Sequence, residues 1–261
     1  CVLAKPFYKA KLFFSRRVDF IPKGFFTLKK YNICDGIICV SEAIQTILQH
    51  AGVSTKTTVI SDCIDPRELD RTRALLLLKE FNIHNKIIIG TTAALVDHKD
   101  PITLVKAIRI LSSIRKDVVL IHFGDGPLES EVRSLIREYK IEDQYKLAGF
   151  KNNVEDYFSI FQYFVMSSRE EGLGSSVLDA FVYKVSVIST NAGGLAELVR
   201  GRGYVTEKSN PALLAETLLK AIENPKETAE YIEAAAAYAS SELTIEHIHE
   251  QYIRLFTNNT I

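Results

Sequence analysis

The stretch SSREEGLGSSVLDAFVYKVSVISTNAGGLAELV, residues 167–199, decides how the rest of the chain is read. A short apolar strand, YFVMS, runs out into an acidic, glycine-broken turn. A helix follows, then a second buried strand, VSVIST, a second glycine turn, NAGG, and another helix. Glu171 and Asp179, eight positions apart, bracket the first turn and its helix. Between them Gly172 and Gly174 strip the backbone of bulk, and glycine tolerates both close approach and positive φ. The free amides at the start of the helix make a natural anion site. The segment therefore reads as an anion cradle with an acid on each side, suited to a ligand that carries phosphates and hydroxyls.

Working outward, strands and helices alternate with regularity. KIIIGTT, DVVLIHF, YKLAGF, YFVMSS, VSVIST and GYVTE read as strands. Helices are expected over Arg67–Phe81, Ile102–Ile114 and Leu128–Tyr139, with a short one at Val154–Ile160. Three more close the chain, at Pro211–Glu223, Lys226–Ser240 and Thr244–Phe256. Continuous Val/Ile-rich strands between amphipathic helices predict an α/β fold with a parallel sheet covered on both faces. In such sheets ligands bind beyond the carboxyl ends of the strands. The segments there are Gly90–Lys99, Gly124–Pro127, Gly149–Asn153, Arg169–Gly174 and Asn191–Gly194, and all five contain glycine. Together they predict a large backbone-lined crevice.

Upstream, DGIICV, SEAIQTILQHAG and TTVI form one strand–helix–strand unit, with Ser41 as N-cap and Gly52 as stop. Such a unit cannot cover a sheet alone, so it reads as the last piece of a domain whose earlier strands are missing. Residues 1–30 interleave aromatic and basic side chains. They fit either a basic-aromatic surface for lipid or a phosphorylated partner, or a connecting segment whose aromatics pack on a neighbouring domain. The absence of helical periodicity favours the second reading.

The chain of 261 residues is 47% hydrophobic and 25% charged with zero formal net charge, which gives no bulk electrostatic reason to expect nucleic acid. No apolar run is long enough to cross a bilayer. The start at Cys1, without a secretory pattern, reads as a start inside a longer protein. Cys1, Cys34, Cys39 and Cys63 lack CxxC spacing or an adjoining histidine cluster, so they are expected to be reduced thiols in a cytosolic protein, with no metal implied.

Among candidate chemical residues, Glu171 can hold sugar hydroxyls in register, while Glu170 fits a helix-start acid better. Asp179 sits among Val177, Leu178, Ala180 and Phe181. It either faces a ligand or lies on a solvent-exposed helix face. Lys99 can neutralise phosphate or serve as surface charge. His98 reads as incidental. GDGP is neither a Walker loop nor a dinucleotide fingerprint, and Asp125 reads as a turn residue ahead of Pro127.

EGLGSSVLDAF followed by TNAGGLAELV resembles the signature of glycosyltransferase family 4, retaining nucleotide-sugar-dependent enzymes of GT-B architecture. VSEAI at 40–44, GDGP at 124–127 and AGFKNNVEDYF at 148–158 are similar to family landmarks in the expected order. The resemblance implies a nucleotide-diphosphate sugar as donor substrate, no cofactor and no obligate metal. It implies that Glu171 is the catalytic acid contacting the donor sugar, and that Gly172, Leu173, Gly174 and Ser175 supply amides to sugar or diphosphate. Asp179 would bind the ribose, Lys99 would balance the leaving diphosphate, and Phe150 and Val154 would meet the base. Residues 1–62 would be the remnant of an acceptor-side domain, 63–240 the Rossmann-like donor domain, and 241–261 a helix returning to the N-terminal side. The acceptor would be a glycan, a lipid-linked sugar or a small molecule. The setting would be cytoplasmic, with room for peripheral association at the inner face of a membrane.

The chain departs from that pattern in several places. Asp179 stands where glutamate is usual, shorter by about 1.5 Å of reach. Ala94 replaces a frequent arginine, and Lys184 and Ser186 replace a glycine and a proline. Most of the N-terminal half is missing, so the chain by itself is expected to transfer little sugar. Two other readings stand beside the transferase: a non-catalytic nucleotide-sugar-binding module, and a GT-B-type epimerase, for which no acid/base set is evident.

Overall fold

A computed structural model of the chain describes residues 2–257. Two all-parallel sheets organise it. The smaller has three strands, β1 (Phe13–Arg16), β2 (Gly36–Cys39) and β3 (Thr57–Val59), in that spatial order. Helices α1 (Phe25–Asn32) and α2 (Glu42–His50) connect them. The larger contains β4 (Ile87–Thr92), β5 (Val118–Phe123), β6 (Tyr145–Gly149), β7 (Tyr163–Met166), β8 (Ser186–Thr190) and β9 (Tyr204–Thr206). Their spatial order is β6-β5-β4-β7-β8-β9. The remaining helices are α3 (Arg71–Glu80), α4 (Pro101–Ile114), α5 (Glu129–Glu138), α6 (Ser175–Val182), α7 (Gly194–Val199), α8 (Pro211–Glu223), α9 (Pro225–Glu242) and α10 (Ile245–Thr257). A 3-10 segment, Val154–Ile160, leads into β7.

The predicted α/β class is the observed one. All six residues of β5 are buried, as expected for a strand covered on both faces. On one face Phe158, Phe164, Val177 and Phe181 pack into a core that also takes in Ile37 of the smaller sheet and Ile44 of α2. On the other, Leu104, Ile108 and Leu111 of α4 meet Leu214 and Leu218 of α8. Helix α10 lies against the smaller sheet: Ile248 packs with Ile38 and Ile60, and the Phe256 ring is 5.1 Å from Phe13.

Residues 2–30 differ from the expected connecting segment, since they hold strand β1 and most of helix α1. The smaller sheet thus has one strand more than the single strand–helix–strand unit read from the sequence. Two local features hid them. FFSR is too short to show alternation, and α1 begins after Gly24 without a side-chain cap and exposes Phe25 (72%) and Phe26 (84%), so its periodicity is broken. Phe13 and Phe14 do pack, against Phe256 and Tyr31, whereas Phe7, Phe20, Phe25 and Phe26 are exposed.

Helix α3 starts four residues later than expected, at Arg71. The Asp70 carboxylate caps it by accepting from the amides of Thr72 (3.1 Å) and Arg73 (3.4 Å), while the Asp70 amide donates to the Asp156 carboxylate (2.9 Å). Asp156 is fully buried and also pairs with Arg67 (2.8 Å) and Arg73. Cys34 and Cys39 are buried thiols and Cys63 an exposed one, whereas Cys1 lies outside the described residues. Among the described residues no helix is long and apolar enough to cross a membrane.

Candidate functional site

The strand order places β4 beside β7, so the chain leaves these neighbours in opposite directions, towards β5 and towards β8. A crevice opens at such a switch point beyond the carboxyl ends of the strands. The segment after β4 carries Lys99 and the turn after β7 carries Glu171. Their side chains form a direct ion pair across 72 positions of sequence, with only 20% and 14% of each side chain exposed. Ser168 Oγ adds a second donor to the Glu171 carboxylate (3.3 Å). Glu170 next to it is exposed. The main chain of His98 ties the two segments together, its carbonyl accepting from the Arg169 amide (2.8 Å).

Helix α6 begins at Ser175 with Gly174 (φ +89°) as its N-cap and no side-chain capping bond. Among the described residues nothing accepts from the amides of Ser175 and Ser176, so the anion site inferred from the sequence has free donors. Ser176 Oγ donates to the Thr92 carbonyl (3.2 Å), which fixes the helix start against the end of β4.

The glycines also have a packing role that the sequence did not show. A Cβ on Gly172 would lie 2.7 Å from the Arg17 carbonyl oxygen, and one on Gly194 would lie 2.2 Å from the Gly172 carbonyl oxygen. The Gly194 amide donates to the Glu171 carbonyl (2.9 Å), and Ser41 Oγ to the Gly172 carbonyl (2.7 Å). The two glycine turns are pressed onto one another and onto the smaller sheet, and this packing sets the position of Glu171. Leu173 between them is buried, its side chain in the core.

Asp179 is half-buried on α6, and no group among the described residues hydrogen-bonds its carboxyl. Burial, with a smaller contribution from the Glu155 carboxylate, pushes its pKa up to about 6. Asp179 thus lies between the two sequence readings, neither fully exposed nor partnered.

A cleft of about 310 Å³ continues from this edge, lined by Thr92, Ala93, Ala94, Phe123, Gly124, Asp125, Phe150, Lys151 and Val154. Both residues assigned to a base, Phe150 and Val154, line it. Asp125, read as a turn residue, forms part of the wall. Thr92 Oγ1 is buried there, with no hydrogen-bond partner among the described residues. Behind the wall the buried His122 imidazole donates from Nε2 to the Ala93 carbonyl (2.9 Å), which leaves Nδ1 to accept from the Tyr145 hydroxyl (2.8 Å). Burial depresses its pKa to about 4, so the ring is neutral above that pH. No signal in the sequence pointed to His122, since its partners come from two neighbouring segments. Among the described residues no three His, Cys, Asp or Glu side chains cluster as metal ligands.

Residues 77–238, more than half of the chain, match the family model described as Glycosyl transferases group 1. The 2-deoxystreptamine N-acetyl-D-glucosaminyltransferase of Niallia circulans is 30% identical over 156 residues, covering 56% of this chain and 38% of that protein. The crystal structure of a glycosyltransferase from Rickettsia africae ESF-5 superposes with a TM-score of 0.88 at 19% identity, covering 99% of this chain and 73% of that one. That of Anabaena Alr3699/HepE in complex with UDP superposes with 0.86 at 20% identity, covering 98% and 75%. The chain spans 38% to 56% of the length of the first curated relatives it matches. With the family match falling on the two glycine turns and the crevice they build, the chain belongs to the glycosyl transferases group 1 family and has the GT-B type of fold.

Proposed function

We propose that this chain is the donor-binding part of a family-4-type glycosyltransferase, which moves a sugar from a nucleoside diphosphate to an acceptor with retention of anomeric configuration. The observation that carries the reading is the Lys99–Glu171 pair at the switch point, beside the free amides of Ser175 and Ser176. A carboxylate held in place by an ammonium can accept hydrogen bonds from donor-sugar hydroxyls without first being drawn from water. When the bond to the anomeric carbon breaks, negative charge grows on the diphosphate. Lys99 and the start of α6 are then the fixed positive groups that meet it. Asp179 takes the ribose hydroxyls, and Phe150 and Val154 take the base. The diphosphate charge is met by these protein groups, so binding requires no metal.

The UDP bound by the Anabaena neighbour makes a uridine nucleotide the first donor to test. Residues 1–62 are, in this reading, the end of an acceptor-side domain to which α10, in the closing segment 241–261, returns. The acceptor is a carbohydrate or a lipid-linked sugar. Isothermal titration of the chain with UDP, GDP and ADP in the presence of EDTA tests the proposal. Binding of at least one is expected, and the absence of binding to all three would overturn it.

A further inference from the structure

Among the described residues, Lys151 is the one cation lining the 310 Å³ cleft. Apart from Thr92 and Asp125, the other lining residues are glycine or apolar. Lys151 is half-buried, and among the described residues its ammonium has no carboxylate, carbonyl or ring as partner. Lysine on a surface normally carries its charge out into water, and a charge drawn partway into an apolar wall gains more from a counter-ion than an exposed one does. Asp125 lines the same cleft, yet the two make no ion pair.

The surrounding charges sharpen the point. Lys99 is balanced by Glu171, and Arg169 by Asp97 and, at 3.7 Å, Asp100. Asp125 and Asp179 add negative charge, and among the described residues neither is in an ion pair. A polyanion entering the crevice therefore finds free positive potential in two places, the amides that open α6 and the Lys151 ammonium. Thr92 joins these places, because it lines the cleft and its carbonyl holds Ser176 of α6.

We propose that Lys151 is a nucleotide-anchoring residue whose ammonium pairs with the phosphates of a bound nucleoside diphosphate. The proposal rests on the nucleotide-sugar reading above and adds to it the residue that supplies the unpaired charge. A lysine suits the role, since it is a compact charge on a flexible stem with three rotatable donors and can follow the phosphate along the cleft.

Calorimetric titration of the chain with UDP and with uridine, at low and high salt, tests it. GDP with guanosine or ADP with adenosine would be used if those are the nucleotides bound. Lys151→Ala should weaken diphosphate binding about tenfold or more, leave the nucleoside unchanged and flatten the salt dependence. Lys151→Arg should keep most of the affinity. Asp125→Asn should tighten diphosphate binding by removing a like charge. Returning a cation to the cleft as Ala94→Arg in the Lys151→Ala background should recover part of the loss. Among the described residues the Lys151 ammonium makes no hydrogen bond or ion pair, so the melting temperature of Lys151→Ala should match wild type. Unchanged UDP affinity in Lys151→Ala would overturn the proposal, and so would an equal loss for uridine and UDP, which would put the contact on the base. Failure of the wild-type chain to bind any nucleoside diphosphate would instead remove the nucleotide reading itself.

Discussion

Replacing Asp179 with asparagine should stabilise the ligand-free chain while weakening its hold on a nucleotide, and the two effects are separable by pH. Burial first, and the Glu155 carboxylate second, raise the Asp179 pKa from 3.8 to about 6. Such a rise corresponds to about 3 kcal/mol of penalty on the ionised form, since each unit is worth about 1.36 kcal/mol. Water still reaches part of the carboxyl, so roughly 1.5–3 kcal/mol is a fair range. The folded state holds its proton more tightly than the unfolded state. The penalty is therefore absent below the unfolded pKa of 3.8, grows between there and about 6, and is complete above it. Asparagine is neutral throughout and nearly isosteric. Asp179→Asn should match wild type near pH 3.5 and exceed it by roughly 1.5–3 kcal/mol at pH 8 in urea denaturation. Ribose hydroxyls donating to the carboxylate would favour the ionised form, so the same variant should lose about 1–3 kcal/mol of nucleotide affinity. A variant less stable than wild type at pH 8, or a stability difference that does not vary with pH, would refute the reasoning.

Asp156→Ala should destabilise the chain by about 2–4 kcal/mol at pH 7 in urea denaturation, because it removes the anchor of the Asp70 amide, Arg67 and Arg73. Burial works to raise the Asp156 pKa, but the Asp70 amide and Arg67 outweigh it and hold the carboxyl below its ordinary value. Its contribution is thus present above the unfolded pKa and lost as pH falls through the folded one, and the effect of the substitution should shrink in acid. Under the proposed function, Glu171→Gln in an active transferase should lower the rate of sugar transfer by about 100-fold or more while nucleotide affinity, read by calorimetry, changes only a few-fold. His122→Phe should cost about 1–3 kcal/mol by leaving the Ala93 carbonyl and Tyr145 hydroxyl unpaired. In the wild type, nitrogen NMR should find the Nε2–H tautomer from pH 5 to 9, and a ring titrating near 6.5 would contradict the assignment.

The α/β class, the strands of the larger sheet and the loops that border the crevice were legible because each rests on local pattern. Buried parallel strands are continuous apolar runs, and the start of α2 carries its own signal in Ser41. Strand β1 and helix α1 were not legible, since four residues and an uncapped start leave too little pattern to detect. Asp70 shows how a boundary escapes local reading. It caps α3 because its own amide is bound by Asp156, 86 positions away, and nothing near Arg67 announces that.

The acidic turn presents a subtler case. Its residues were found from the sequence, but the reason for its glycines lay in contacts that only the fold creates. Gly172 and Gly194 leave no room for a Cβ because the Arg17 and Gly172 backbones stand there. The turn is held from beneath by the NAGG turn and from the side by Ser41 and the loop after β1. Glu171 therefore takes its position from both sides of the crevice, and Lys99 pairs with its carboxylate where only 14% of the side chain is exposed. A substitution at the start of α2, beside the smaller sheet, should then be felt at the crevice. Ser41→Ala removes the bond to the Gly172 carbonyl and the cap that receives the Ile44 amide. It should cost about 1–2 kcal/mol of stability and weaken nucleotide binding with no ligand contact altered. If calorimetry gave wild-type affinity for Ser41→Ala, the turn would be positioned by the larger sheet alone, and the two sheets could move apart without disturbing Glu171.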